Sequence, residues 1–390
     1  MINQSKKKPE WAKDNCKAYS SSIIPGVSDG HDGNLAYKSK HNSKKKIIQR
    51  KKLTTDDYIQ GILNRDRAIL GRAITLIESH SDQHRKMAQT ILNQLTSHTG
   101  KSIRVGITGV PGVGKSTFIE TLGCLLLDKG HRIAVLAIDP SSSLTGGSIL
   151  GDKTRMEKLS RDRRCFIRPS PSGGTLGGVA QKTRESMIIC EAAGFDVVLI
   201  ETVGVGQSEI TVRSMVDFFL LLMLANAGDE LQGIKKGIME MADAILINKA
   251  DGDNKICSES AKNEFERALH YLQPTIAGWH AHAYTCSSVT GDGISEIWDV
   301  VKSFCRTTQS SGFFYEQRKR QSLKWFYSLI EEELKNLFFQ NPEVKKILPQ
   351  IEKDISECRY TPYTAVTRTM EKYQANMHSD ASTKLTLDYT

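Results

Sequence analysis

Apolar positions recur at helical spacing from Thr54 to Ser97, first at Tyr58, Ile59, Ile62 and Leu63, then at Ile69, Leu70, Ile74 and Ile77. Thr54 or Thr55 can cap the first of these helices, with Asp56 and Asp57 in its opening turn, and a further helix is expected from about Asp82 to Leu95. The pattern then changes. Short continuous apolar runs at Ile103–Thr108, Ile133–Ile138, Val197–Ile200, Phe218–Leu224 and Ala244–Ile247 read as strands buried on both faces. Helical stretches separate them, which predicts an α/β fold with a mainly parallel sheet covered by helices on both faces. Beyond Gly312, residues 316–358 return to helical spacing, with an apolar stripe containing Trp325, Phe326, Tyr327, Leu329, Ile330, Phe338 and Phe339. That stripe must be buried, either on its own domain or on a second subunit. The residues from about Ala375 turn polar and are expected to fray.

Composition changes this picture at one end only. The net charge of +9 would ordinarily suggest nucleic acid or a membrane surface. Residues 1–52 hold thirteen Lys and Arg against four acids, so the whole excess lies there and the remaining chain is neutral. A mobile, solvated extension is the expected state of this segment, and neither nucleic acid nor membrane is expected as a partner. Its lysine bias fits an Arg-rich transit peptide poorly. The eight cysteines (16, 124, 165, 190, 257, 286, 305, 358) form no C-x-x-C pair, and several sit in apolar segments, as reduced thiols do. No apolar run reaches the length of a membrane span, so a cytoplasmic protein is expected.

The chemistry centres on Gly109-Val110-Pro111-Gly112-Val113-Gly114-Lys115-Ser116-Thr117, which fits G-x-x-x-x-G-K-[ST] between a strand and a helix. Glycines let backbone N–H groups approach phosphate oxygens, and the helix N-terminus adds a favourable field. Lys115 would neutralise the β- and γ-phosphates and Ser116 would hold Mg²⁺. This is the phosphate-binding loop of a P-loop nucleotide-binding protein.

Base choice is read from Asn248-Lys249-Ala250-Asp251 at the end of a strand, the N-K-x-D pattern of GTPases. The Asp251 carboxylate can accept from guanine N1–H and the exocyclic amine, whereas adenine would leave it unpaired. Ser287 and Ser288, after a later strand, would add backbone contacts to the base. Glu201-Thr202-Val203-Gly204 stands where D-x-x-G is usual, so Glu201 could hold the metal directly or through water and the Gly204 N–H could meet the γ-phosphate. Val205 follows, where Ras-like enzymes place the glutamine that orients water, although Gln207 lies close. Slow intrinsic hydrolysis is therefore expected, with a partner or another loop completing the site. Asp139 places a second carboxylate where it could face the metal. Residues 146–156 and 228–237 read as mobile switch loops or as ordinary surface loops.

With these segments in view, the chain resembles the MeaB-type GTPases, the family that includes the methylmalonic aciduria type A protein. The strings GITGVPGVGKSTFIE, LAIDPSSSLTGGSILGDKTRM, IRPSPSGGTLGGVA, LIETVGVGQSE, GDELQGIKKGIMEMAD and INKADGD carry the likeness, which covers about residues 54–370. The resemblance implies a homodimer built through a C-terminal helical dimerisation arm. It implies Mg²⁺ and catalytic roles for Asp139, Asp152 and Glu201, a switch role for Arg155, and a partner-sensing third switch carrying Asp229, Gln232 and Lys235. It also implies a function: GTP hydrolysis that gates adenosylcobalamin loading and protects or reactivates a B12-dependent methylmalonyl-CoA (acyl-CoA) mutase. The domain plan is then a basic extension (1–52), N-terminal helices (53–99), the GTPase domain (100–310), the arm (311–374) and a polar tail (375–390). Ser288, where many GTPases have Ala, departs from the pattern and should be tolerated. So does the Ala225-Asn226-Ala227 segment before the third switch.

Two other readings compete. A nickel-delivering metallochaperone GTPase would want a His/Cys-rich tract, which the chain lacks. A P-loop kinase or ATPase of the arginine/ornithine transport type would use the same phosphate loop but has no evident use for N-K-x-D.

Overall fold

The computed structural model describes residues 53–79, 81–139, 156–171, 176–202, 208–225, 236–272 and 276–387. Three helices come first: α1 (Thr55–Leu63), α2 (Arg67–Glu78) and α3 (Asp82–Leu95). Thr54 caps α1 in a reciprocal box, its hydroxyl accepting from the Asp57 N–H while the Asp57 carboxylate accepts from the Thr54 N–H. Asp66 caps α2 by accepting from the N–H groups of Ala68 and Ile69. The apolar positions of these helices face inward, and Ile62, Leu70, Ile74 and Leu95 are fully buried.

The sheet contains seven parallel strands: β1 (Ile103–Gly109), β2 (Ile133–Asp139), β3 (Cys165–Pro171), β4 (Val197–Thr202), β5 (Phe218–Leu224), β6 (Ala244–Asn248) and β7 (Ala283–Thr285), in the order β3-β2-β4-β1-β5-β6-β7. Between them run α4 (Lys115–Asp128), α5 (Glu157–Arg161), α6 (Leu176–Ala192), α7 (Ser208–Arg213), α8 (Lys236–Met241) and α9 (Asn254–His270).

Strand residues alternate between two layers, as the two-residue period demands. Val198, Ile200 and Phe219 pack under α1–α3 and α6, whereas Val197, Leu199 and Phe218 meet α4 and α10 (Ile294–Ser310). On the second face Phe218, Trp279 and Phe304 form edge-to-face contacts, with centroids 5.0 Å apart for Trp279–Phe304 and 5.1 Å for Phe218–Phe304. Each such aromatic, when fully buried, contributes about 2–3 kcal/mol.

Strand β3 is absent from the sequence-based expectation. Its segment, Cys165-Phe166-Ile167-Arg168-Pro169-Ser170-Pro171, carries two prolines and an arginine and does not read as a buried strand. It lies at the sheet edge, where a missing N–H need not face a neighbour. Position in the sheet, not local composition, makes it a strand.

The C-terminal region is three helices: α11 (Phe313–Gln340), α12 (Pro342–Ser356) and α13 (Pro362–Leu387). Gly312, at φ 76°, turns the chain between α10 and α11. Asn341 caps α12, whose first residue is Pro342. α13 runs through Leu387, past the point near Ala375 where composition turns polar and fraying was expected. α11 is anchored most firmly at its beginning, and later by Arg85 of α3 to Glu333 at 3.1 Å. Arg318 forks onto Asp217 at 2.7 Å through both Nε and Nη2 and also donates to the carbonyls of Gly100 and Ser102. Further along, Leu323, Phe326, Tyr327, Ile330, Leu334 and Leu337 are exposed. No helix among the described residues is long and apolar enough to cross a membrane.

Candidate functional site

Strand order fixes where a ligand can bind. β1 sits between β4 and β5, and the chain passes from β1 to β2 on one side of it, with β5, β6 and β7 on the other. A crevice opens at the C-terminal ends of the strands where the direction of winding reverses. The phosphate loop leaves β1 at that point and runs directly into α4.

The loop depends on its glycines. Gly109 has φ 151°, and a Cβ there would come within 2.3 Å of the Leu222 carbonyl oxygen on β5. Gly114 has φ 95°, with Asn248 Nδ2 3.0 Å from where its Cβ would stand. Gly112 is also left-handed, at φ 80°. A side chain is excluded at Gly109 by the β5 backbone and is crowded at Gly114 by the Asn248 amide, and both positions have left-handed φ, which leaves backbone lining the cradle. Val113 is fully buried and anchors the loop, Gly112 and Thr117 are exposed, and Lys115 and Ser116 open the helix.

Lys115 is only 8 % exposed, and its Nζ donates to the carbonyls of Gly109 (2.7 Å) and Val110 (3.2 Å). Burial pushes its ammonium below the usual lysine range, against the opposing fields of Glu201 and Glu209. The Ser116 hydroxyl donates to Glu201 Oε1 at 2.9 Å. Glu201 lies on β4, in register with Ile107 of β1 and Ala137 of β2, and is itself buried. Two oxygen donors are thus held together beside the lysine. That is the donor chemistry a hard divalent cation takes. Asp139 ends β2 opposite Pro171, with its side chain outside the described residues.

Asn248, at the end of β6, is buried and joins two loops. Its Nδ2 donates to the Val113 carbonyl at 2.8 Å, and its Oδ1 accepts from the Ser288 N–H (3.1 Å) and the Ser288 hydroxyl (2.8 Å). Lys249 adopts φ 61° and is exposed. The Asp251 carboxylate accepts from the Ser287 hydroxyl at 2.9 Å, while the Ala250 N–H donates to the Cys286 carbonyl. Thr121 of α4 closes the circuit by donating to the Ser288 carbonyl at 2.7 Å. The phosphate loop, the N-K-x-D loop and the Ser287–Ser288 loop therefore form one hydrogen-bonded unit. Ser288 is more than a tolerated departure, because its hydroxyl supplies one of these bonds.

Asp152, Arg155, Gly204, Asp229, Gln232 and Lys235 lie outside the described residues. One residue that sequence reasoning did not single out is Glu209, in the first turn of α7. It is 1 % exposed and acts electrostatically on Lys115. Its only signal is a carboxylate placed just after the glycine-containing loop that follows β4.

A family model described as the methylmalonyl Co-A mutase-associated GTPase MeaB matches residues 70–343. The GTPase ArgK of Escherichia coli is 44 % identical over 321 residues, covering 82 % of this chain and 97 % of that protein. The mitochondrial methylmalonic aciduria type A homolog of Mus musculus is 42 % identical over 330 residues, covering 82 % of this chain and 80 % of its own length. Among solved structures, that of a LAO/AO transport system kinase is similar at a TM-score of 0.66 and 38 % identity, covering 82 % of this chain and 98 % of that one.

Proposed function

The chain belongs to the MeaB family of methylmalonyl-CoA mutase-associated GTPases, and from that premise we propose that it is a GTP-driven chaperone of a B12-dependent acyl-CoA mutase. It gates adenosylcobalamin transfer into the mutase and protects or reactivates the loaded enzyme. The observation that supports this most is the joining of the phosphate loop to the base loops through Asn248. A nucleotide that grips Asp251 at one end and Lys115 at the other bears on both ends of one unit. Loss of the γ-phosphate is then felt on the β4 side, where Glu201 meets Ser116.

In this mechanism the Gly109–Thr117 loop holds the phosphates with backbone N–H groups and the Lys115 ammonium. Lys115 must first exchange its bonds to the Gly109 and Val110 carbonyls for phosphate oxygens. Asp251 selects guanine, with Ser287 fixing its carboxylate. Mg²⁺ fits the oxygen pair of Ser116 and Glu201, with Asp139 as a further ligand, and would supply charge neutralisation on the phosphates when bound. Asp152 and Arg155 complete the hydrolytic side, the Gly204 N–H meets the γ-phosphate, and Asp229, Gln232 and Lys235 report nucleotide state to the mutase. Intrinsic turnover is slow, because no glutamine follows Gly204 directly. The exposed stripe on α11, from Leu323 to Leu337, supports a homodimer in which a second copy covers it.

The test is GTP and ATP hydrolysis by the purified protein, with and without a methylmalonyl-CoA mutase from the same source. Slow, GTP-selective turnover that rises on adding the mutase is the expected result. GTP turnover indifferent to the mutase would overturn the chaperone role. Preference for ATP, with phosphate passed to an acceptor, would overturn the base-recognition argument.

A further inference from the structure

Away from the strand ends that hold the nucleotide site, a cavity of about 370 Å³ lies where α3, α6 and α11 meet the turn between α7 and β5. This volume is in the range of small-molecule sites. Three arginines and one carboxylate line it: Arg104, Arg184, Arg318 and Glu185. Their charges are not equally matched. Arg104 forks onto Glu191 at 2.6 and 3.0 Å, and Arg318 onto Asp217 at 2.7 Å through two nitrogens. Glu185 has Lys182 at 3.6 Å and accepts from Gln89 and Gln181.

Arg184 has no carboxylate within ion-pair reach among the described residues. The residue is 7 % exposed, and its guanidinium donates only to neutral oxygens: the Ser214 carbonyl (2.8 Å), the Ser214 hydroxyl (2.6 Å) and the Gln321 carbonyl (3.2 Å). It stacks 5.5 Å from the Trp325 ring centroid, and its Nε makes none of these bonds. Trp325 forms another part of the cavity wall, and its indole N–H is buried without an acceptor. Burial first, and the neighbouring Arg104 charge second, push the Arg184 pKa down to about 10, which still leaves it charged at neutral pH. A buried cation facing a cavity without a counter-ion is costly to maintain. The same wall carries an unused N–H donor.

The geometry points to a second ligand site: the cavity binds a small organic monocarboxylate, its carboxylate paired with the Arg184 guanidinium and its apolar chain against Leu92, Ile188, Met215 and Leu329. One uncompensated positive charge calls for one negative charge. A charge-assisted guanidinium N–H suits a carboxylate, and the apolar side chains suit a hydrocarbon tail. Arg184 also ties Ser214, at the end of the α7 segment, to Gln321 on α11. Occupancy would therefore bear on how α11 is held to the GTPase body.

The test is calorimetric titration of the full-length, GDP-loaded protein with hexanoate, and with hexanamide as its uncharged counterpart. Saturable hexanoate binding, with hexanamide at least tenfold weaker, is expected. Arg184→Met should weaken hexanoate at least tenfold while GDP affinity is unchanged, and Arg184→Lys should fall between it and the wild type. Trp325→Phe should abolish the change in tryptophan fluorescence that hexanoate causes in the wild type. If Arg184→Met fails to bind GDP, and so has not folded, the hexanoate–hexanamide comparison and Trp325→Phe decide. No saturable hexanoate binding, equal binding of hexanamide, or undiminished binding by a folded Arg184→Met would overturn the site.

Discussion

Replacing Asn248 by alanine tests whether the phosphate loop and the base loops are one unit. The side chain is 1 % exposed and makes three hydrogen bonds with N and O partners: to the Val113 carbonyl, and from the N–H and hydroxyl of Ser288. Water cannot readily replace them in so closed a place. At about 1 kcal/mol for each bond, the loss is about 3 kcal/mol, and groups left unpaired raise it further. The cost should divide between fold stability and nucleotide affinity, because the loops must adopt the joined arrangement to bind GDP. Urea unfolding followed by circular dichroism should show a stability loss of about 1.5 kcal/mol, half of that total. Titration with a fluorescent GDP analogue should show affinity weakened by about tenfold, the equivalent of the remaining ~1.4 kcal/mol. Ser288→Ala removes only the hydroxyl bond and keeps the N–H, so about 1 kcal/mol is expected there. An Asn248→Ala protein with stability within about 1 kcal/mol of wild type and GDP affinity within about threefold would refute the coupling.

Glu201→Gln should raise the magnesium concentration needed for half-maximal GTP turnover by at least about tenfold, as loss of an anionic oxygen donor beside Ser116 requires; an unchanged magnesium titration would remove Glu201 from the metal site. Arg318→Met strands the buried Asp217 carboxylate and should cost about 3–5 kcal/mol in urea unfolding, with much of the loss recovered in the Arg318→Met/Asp217→Asn double variant. A double variant no more stable than Arg318→Met would show that the cost is packing alone. Burial pushes the thiols of Cys165, Cys286 and Cys305 up to about 12, whereas Cys257 and Cys358 are exposed. The nucleophile is the thiolate, so iodoacetamide at pH 8 should label Cys257 and Cys358 promptly and Cys165, Cys286 and Cys305 only after unfolding, as read by peptide mass mapping. Labelling of Cys165 in the folded protein at a similar rate would contradict the burial seen here.

Much of the fold and part of the site were legible in the linear sequence, for reasons that are local. A run such as Phe218–Leu224, apolar at every position, has no stable place except a strand covered on both sides, and it is one. Thr54 with Asp57 three residues on marks a helix start because the two groups satisfy each other's backbone within one turn. The phosphate loop was readable because its chemistry is largely backbone chemistry, and glycine spacing alone specifies it. Other features depend on residues distant in the chain. β3 is a strand because the sheet edge accepts Pro169 and Pro171. Asn248 reads from sequence as a base-recognition residue, yet the described contacts make it a strut to Val113, 135 positions earlier, and to Ser288, 40 positions later. The Arg184 cavity has no sequence signature at all, since its walls come from α3, α6 and α11 and its unmatched charge appears only when Arg104, Arg318 and Glu185 are seen to be matched elsewhere. Backbone preference and hydrophobic period are properties of short segments, so the sequence determined the elements and the phosphate cradle. Charge compensation and edge position belong to the assembled molecule, and the tertiary structure decided those.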